Sequence, residues 1–346
     1  MGAKQKADSD AIREDVHSCL VRLRKMLATG EREKIDQVGR EVGSYDDAFL
    51  DPDFISFVVG LYPDSSARIL RVGSYVYPVA VYDSEQHEDI ELPIKDFDIP
   101  ERDRRKDSDL LLEREYEEFW KAIAEHEKRK WWDDDKVCVS SIQHNPLRLS
   151  CYINKYSRII SSSDILQFEI KKAWQENKEE MRSRLKRGES CLDFLPMRAK
   201  LHKVKDPLTD GALRANGLCV STMLCYASEE KGKVRYTCLL RKRAKKGVIE
   251  GRHGFHILPA GQFEISELHD ESELTQAFTV RENILREFLE EIFNVDEPEG
   301  NTKGFWYHDY DQVKQLDTML EHGDAEIHIL GVGVELLNLR PDILTV

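Results

Sequence analysis

The segment R-E-N-I-L-R-E-F-L-E-E-I-F-N-V (281–295) sets acids at a spacing that chemistry can use. At about 100° per residue, Glu287, Glu290 and Glu291 share one arc of a helix, at i, i+3 and i+4. Ile284, Leu285, Phe288, Leu289 and Ile292 fill the neighbouring arc, which is expected to pack on a sheet. Three carboxylates with Cβ atoms about 5–6 Å apart repel one another. A divalent cation removes that repulsion. Mg2+ or Mn2+ suits such a place, because hard cations take carboxylate oxygens and keep waters. A metal so held polarises a phosphate and activates a water for attack. The competing reading is a solvated acidic face, since the chain carries 65 Asp and Glu residues.

Other residue groups bear on the same chemistry. Arg241 and Arg243 alternate in L-L-R-K-R (239–243) and so share one face of a strand. With Lys242, Lys245 and Lys246 they make the most basic segment of the C-terminal half. They are expected either to clamp phosphate or to lie in solvent at a strand end. His253 and His256 come just before L-P-A-G (258–261), where they contact a ligand or are simply exposed. Phe305, Trp306 and Tyr307 read as packing residues before they read as a base-stacking platform. The G-V-G-V at 331–334 lacks the third glycine of a dinucleotide fingerprint, and no P-loop, H-E-x-x-H or G-x-S-x-G occurs.

These residues need elements to hold them. Helical spacing covers 279–293 and 309–321. Strand-like runs cover 147–160, 218–227, 234–243, 254–260 and 326–337. Asp164 is expected to cap a helix from Ile165 to about Leu185, with Gly188 ending it. The run S-Y-V-Y-P-V-A-V-Y (74–82) reads as a strand, and Pro78 predicts an edge position. The terminal L-R-P-D-I-L-T-V reads as the beginning of an apolar strand. Further upstream, 8–60 and 109–132 have helical spacing, and 83–108 is acidic and polar. The organisation expected is a mainly helical N-terminal region of unassigned role (1–144), then an α/β domain (145–346) with a mixed sheet and packed helices.

Composition bounds the function classes. The 346 residues carry a formal net charge of −14, with a pI of about 5.4. That sign repels phosphate backbones and argues against nucleic acid as a partner. A helix-turn-helix reading of 8–43 is weak, because no basic recognition face stands out. The seven cysteines are odd in number and form no C-x-x-C pair. Free thiols in a reducing compartment are expected. No apolar signal segment or membrane-length run occurs, so a cytoplasmic protein with no membrane partner is expected.

R-E-F-L-E-E (286–291) resembles the core of the Nudix signature, G-x5-E-x7-R-E-U-x-E-E-x-G-U, with Phe288 as the bulky residue. L-P-A-G-Q-F-E (258–264) is similar to the P-x-G-G-x-x-E loop leading into that box, and Gly261 and Glu267 fit G-x5-E. The resemblance covers 145–346 and is similar to divergent Nudix domains of bacterial regulatory or defence-associated proteins. It implies a Nudix-type α/β/α sandwich with a mixed sheet. It implies Glu287, Glu290 and Glu291 as ligands of Mg2+ or Mn2+, one of them acting as general base. The carbonyl of Gly261 or Ala260 would complete the set, and Arg286 would orient a neighbouring carboxylate. Asp324 or Glu326 would supply a further acid, and Arg241 and Arg243 would meet the substrate. The implied activity is hydrolysis of a nucleoside diphosphate linked to another group. The alternative is a nucleotide-sensing protein without turnover, whose N-terminal region binds a protein partner or self-associates. Two departures stand out. Eighteen residues separate Glu267 from Arg286 where the signature has x7, and Phe293 replaces the closing glycine. Asn294 follows and tolerates the left-handed conformation, so the helix is expected to run one residue longer.

Overall fold

The computed structural model describes residues 51–63, 67–72, 75–83, 97–98, 135–144, 147–203, 206–211, 213–242, 255–264, 279–295 and 305–346. The helical readings of 8–50 and 109–132, residues 84–96 and 99–108 of the polar stretch 83–108, and Glu267, Arg243 and His253 lie outside them. In chain order come α1 (Pro52–Gly60), β1 (Arg68–Val72), β2 (Tyr75–Asp83), β3 (Phe97–Asp98), β4 (Asp135–His144) and β5 (Leu147–Lys155). After one helical turn (Tyr156–Ile159) and a π-turn (Ile160–Asp164) runs α2 (Ile165–Lys186), then α3 (Pro196–His202). Next are β6 (Cys219–Thr222), β7 (Cys225–Glu230), β8 (Lys233–Cys238), β9 (Leu240–Lys242), β10 (Phe255–Ile257) and β11 (Ala260–Gln262). The chain closes with α4 (Val280–Phe293), α5 (Asp311–His322), β12 (Ile329–Glu335) and β13 (Pro341–Thr345).

The class is α/β with a mixed sheet. Six strands lie in the order β1-β2-β12-β13-β6-β11. Neighbours are antiparallel except β13 and β6, which are parallel. Hydrogen bonding between β2 and β12 therefore crosses the 144/145 boundary expected from sequence. The hairpin β4–β5 straddles that boundary too. Pro78 does not mark an edge. β2 is paired on both sides, and Pro78 falls opposite the irregularity in β1 between Ile69 and Arg71. Its missing N–H is not needed there, and its carbonyl accepts from Leu336 N at 2.7 Å.

Asp164 does not cap α2. It takes helical torsions as the last residue of the π-turn and makes no capping hydrogen bond. Its carboxylate is buried instead against Arg340, 3.2 Å away. β5 stops at Lys155, short of the strand expected to 160, because the chain turns helical at Tyr156. The terminal apolar run holds the strand β13.

The main core lies between the sheet and the helices α1, α2 and α3. Phe57 stacks on Trp174 with ring centroids 5.4 Å apart. Val220, Val332, Val334 and Ile343 meet them from the sheet. Arg198 is fully buried in this core, donating to the Leu336 carbonyl at 2.9 Å and bonding the Tyr62 hydroxyl and the Leu337 carbonyl. These bonds to its two terminal nitrogens offset much of the cost of burying the guanidinium. Glu169 caps α3 by accepting from Met197 N (2.6 Å) and Arg198 N (3.3 Å). Burial pushes its carboxyl up to about 7. Among the described residues no helix is long and apolar enough to cross a membrane.

Candidate functional site

The carboxylate helix forms where its periodicity predicts. Thr279 caps α4 by accepting from Glu282 N at 3.1 Å. Asn294 ends it in the left-handed conformation, φ 53°. The helix thus runs through Phe293, where the signature would have its glycine.

The apolar arc does not lie on the sheet as a single face. Val280 and Ile284 join the main core. Leu285 and Leu289 pack instead with Trp306, Tyr307 and Val313, on and before α5. The aromatic run 305–307 is thus packing material. The physical reason is that α5 supplies a second apolar partner, so α4 is wedged between α5 and the sheet. This rotation turns Glu287, which is buried, toward the sheet's edge strand β11.

Edge strand and helix meet through named contacts. A Cβ at Gly261 would overlap the Glu287 carboxylate. Gly261 pairs with Val220 in ordinary sheet register, so space rather than backbone torsion requires glycine there. Ala260 N donates to Glu291 at 2.8 Å. Arg286 ties the group together. Its Nη2 donates to the Gln262 carbonyl at 2.7 Å and to Glu287 Oε1 at 2.6 Å. Its Nη1 donates to Glu290 Oε1 at 3.1 Å. Arg241, half-exposed on β9, places Nη1 3.8 Å from Glu291 Oε1.

Two members of this cluster have no place in the candidate set read from sequence. Glu264, just past β11, lies 3.6 Å from Arg286 Nη1 and forms an ion pair with Lys136. Lys136 arrives because β4 docks beside the end of β11. Val137 N donates to the Phe263 carbonyl at 3.0 Å, and Leu218 N to the Val137 carbonyl at 2.9 Å. Glu264 closes the L-P-A-G-Q-F-E run, so its sequence signal was present. Lys136 carries no local signal. Of the other candidates, His256 sits on β10 opposite Arg241. Asp324 follows the C-terminus of α5, and Glu326 pairs with His328 at 2.9 Å at the surface.

Electrostatically, the carboxylates of Glu264, Glu287, Glu290 and Glu291 face the cations of Lys136, Arg286 and Arg241. Burial raises the Glu287 carboxyl above its ordinary range, opposed by Arg286, and Glu264 pushes it further up. A buried, crowded carboxylate against a glycine backbone is a donor set of the right chemistry for a hard divalent cation, whose charge offsets both effects. As the side chains stand, each of the three helix glutamates is held by a protein donor. Among the described residues no three His, Cys, Asp or Glu are grouped so as to hold a metal. Compared with known proteins, the chain matches no family model and no curated protein.

Proposed function

We propose that the chain is a Nudix-type pyrophosphohydrolase, a Mg2+- or Mn2+-dependent hydrolase of a nucleoside diphosphate linked to another group. The observation that carries the reading is the double tie made by Arg286, which binds Glu287 and Glu290 to each other and to the β11 backbone beside Gly261. On this reading the mixed sheet and its flanking helices belong to an α/β/α sandwich, and the described part of 1–144, expected to be mainly helical, instead gives that sheet β1 and β2. The cation would be held by Glu287, Glu290 and Glu291 with the Gly261 carbonyl. When bound, it supplies a polarised phosphate and a more acidic water. Arg286 positions two of the acids at the edge strand. Lys136 keeps Glu264 beside them through their ion pair. Arg241, exposed next to Glu291, neutralises phosphate charge from the open side.

A second reading has its own observation. Glu287, Glu290 and Glu291 are already bonded by Arg286 and by Ala260 N–H, which favours a chain that binds a nucleotide-derived molecule beside them without turning it over. The region before the sheet then passes occupancy to a protein partner or to a second copy.

Incubation with a panel of nucleoside diphosphate derivatives and Mg2+ or Mn2+ separates the two. Metal-dependent release of phosphate products, lost in Glu290→Gln and Glu291→Gln, supports the hydrolase. Saturable binding of one of these compounds with no product overturns it in favour of the sensor.

A further inference from the structure

Outside the carboxylate cluster, the hairpin β7–β8 carries a pair of thiols that the proposed reaction does not use. Cys225 and Cys238 lie opposite one another in the strand register. Their sulfurs are 3.4 Å apart. At the next position toward the hairpin's base, Leu239 N donates to the Leu224 carbonyl at 3.0 Å. Opposed residues in an antiparallel pair alternate between hydrogen-bonded and non-hydrogen-bonded positions. Leu224 and Leu239 occupy the first kind, so Cys225 and Cys238 occupy the second. There Cα atoms approach to about 4.5 Å, and side chains are closest. That separation falls inside the roughly 4.4–6.8 Å range of disulfides. The sulfurs need to close by about 1.4 Å to reach a bond of about 2.05 Å, a motion available to two unbranched side chains on a hairpin.

Access also favours this pair. Cys238 is exposed and Cys225 partly so, and every residue of β8 faces solvent. Cys138 and Cys151 are buried, and burial pushes their thiols far above the usual range. Thiolate supply and reagent access both decide which cysteines react.

We propose that Cys225 and Cys238 are a reversible disulfide-forming site that takes a small-molecule disulfide as its oxidant. The Cys238 thiolate attacks one sulfur of that disulfide, and a mixed disulfide forms as the first small thiolate leaves. The Cys225 thiolate then attacks the Cys238 sulfur and releases the second. The two protons of the cysteine thiols end on the two released small thiols, so the protein is oxidised by two electrons and the reagent reduced by two. The product bond staples the hairpin at its base, just ahead of β9 and Arg241.

The test uses the full chain and oxidised glutathione. After incubation, remaining thiols are alkylated and the protein is digested with trypsin, which can cut between the two cysteines at Lys231, Lys233 and Arg235. The expected result is a cross-linked peptide pair containing Cys225 and Cys238, with two fewer alkylated thiols, both restored by dithiothreitol. Cys225→Ser, an exposed near-isosteric change, should retain glutathione on Cys238 and give no cross-link. Unchanged alkylation of both cysteines overturns the proposal. So does a cross-link to another cysteine, or a wild-type chain that keeps glutathione on Cys238.

Discussion

Alanine at position 261 is the sharpest perturbation of the helix–strand contact. The added methyl would occupy the space of the Glu287 carboxylate. That group is the end of a flexible side chain and can swing away, so the backbone need not move. What it loses is the 2.6 Å bond to Arg286, made where both side chains are below a tenth exposed. A charge-assisted hydrogen bond contributes about 1.5–3 kcal/mol. Arg286 keeps Glu290 and the Gln262 carbonyl, so the cost stays near that range. It does not reach the roughly 3–5 kcal/mol of a fully orphaned buried charge. Gly261→Ala should therefore lower unfolding free energy by about 1.5–3 kcal/mol in urea melts followed by tryptophan fluorescence. In a Glu287→Ala background the same methyl meets no carboxylate, and its cost should fall to within about 0.5 kcal/mol, leaving a clear coupling energy. Equal costs in the two backgrounds would refute the contact.

Further outcomes follow from the same structure. The Glu169 carboxyl is raised to about 7 from an ordinary 4.5, so the folded chain keeps a proton that the unfolded chain has lost. Its contribution to stability is whole below about pH 4.5 and is lost as pH rises through about 7, by about 3 kcal/mol at most. Relative to wild type, Glu169→Gln should flatten the fall in urea midpoint between pH 5 and 8, and an unchanged slope would contradict the assignment. Leu285 is fully buried against Trp306 and Val313. Leu285→Ala should cost about 2–5 kcal/mol in the same melts, whereas a cost below about 1 kcal/mol would mean that α4 and α5 do not pack as described.

What was legible in the sequence is local. The period of Ile284, Leu285 and Leu289 locates α4 to within a residue, and Asn294 ends it because its short polar side chain tolerates the left-handed torsions. The orientation of that helix was not legible. It depends on Trp306, just before α5, and Val313, on it, forming a second apolar surface, and no periodicity within α4 records that neighbour. Lys136 and Glu264 meet across 128 positions of sequence, through the docking of β4 on β11, so nothing near either residue announces the pair. Pro78 misled for a related reason. A proline rule reads one strand in isolation, while the irregularity in β1 that makes room for it belongs to the partner. Cys225 and Cys238 read as isolated free thiols until strand register sets them opposite each other.

The central claim is that Glu287, Glu290 and Glu291, at the Gly261 edge, hold a divalent cation. Titration of the full chain with Mn2+, following free ion by electron paramagnetic resonance, tests it without requiring a substrate. The account predicts saturable binding, competed by Mg2+, that weakens at least tenfold in Glu290→Gln and in Glu291→Gln while both variants keep their fold by circular dichroism. Mn2+ binding of equal strength in wild type and in both folded variants, or none in the wild-type chain, would contradict it.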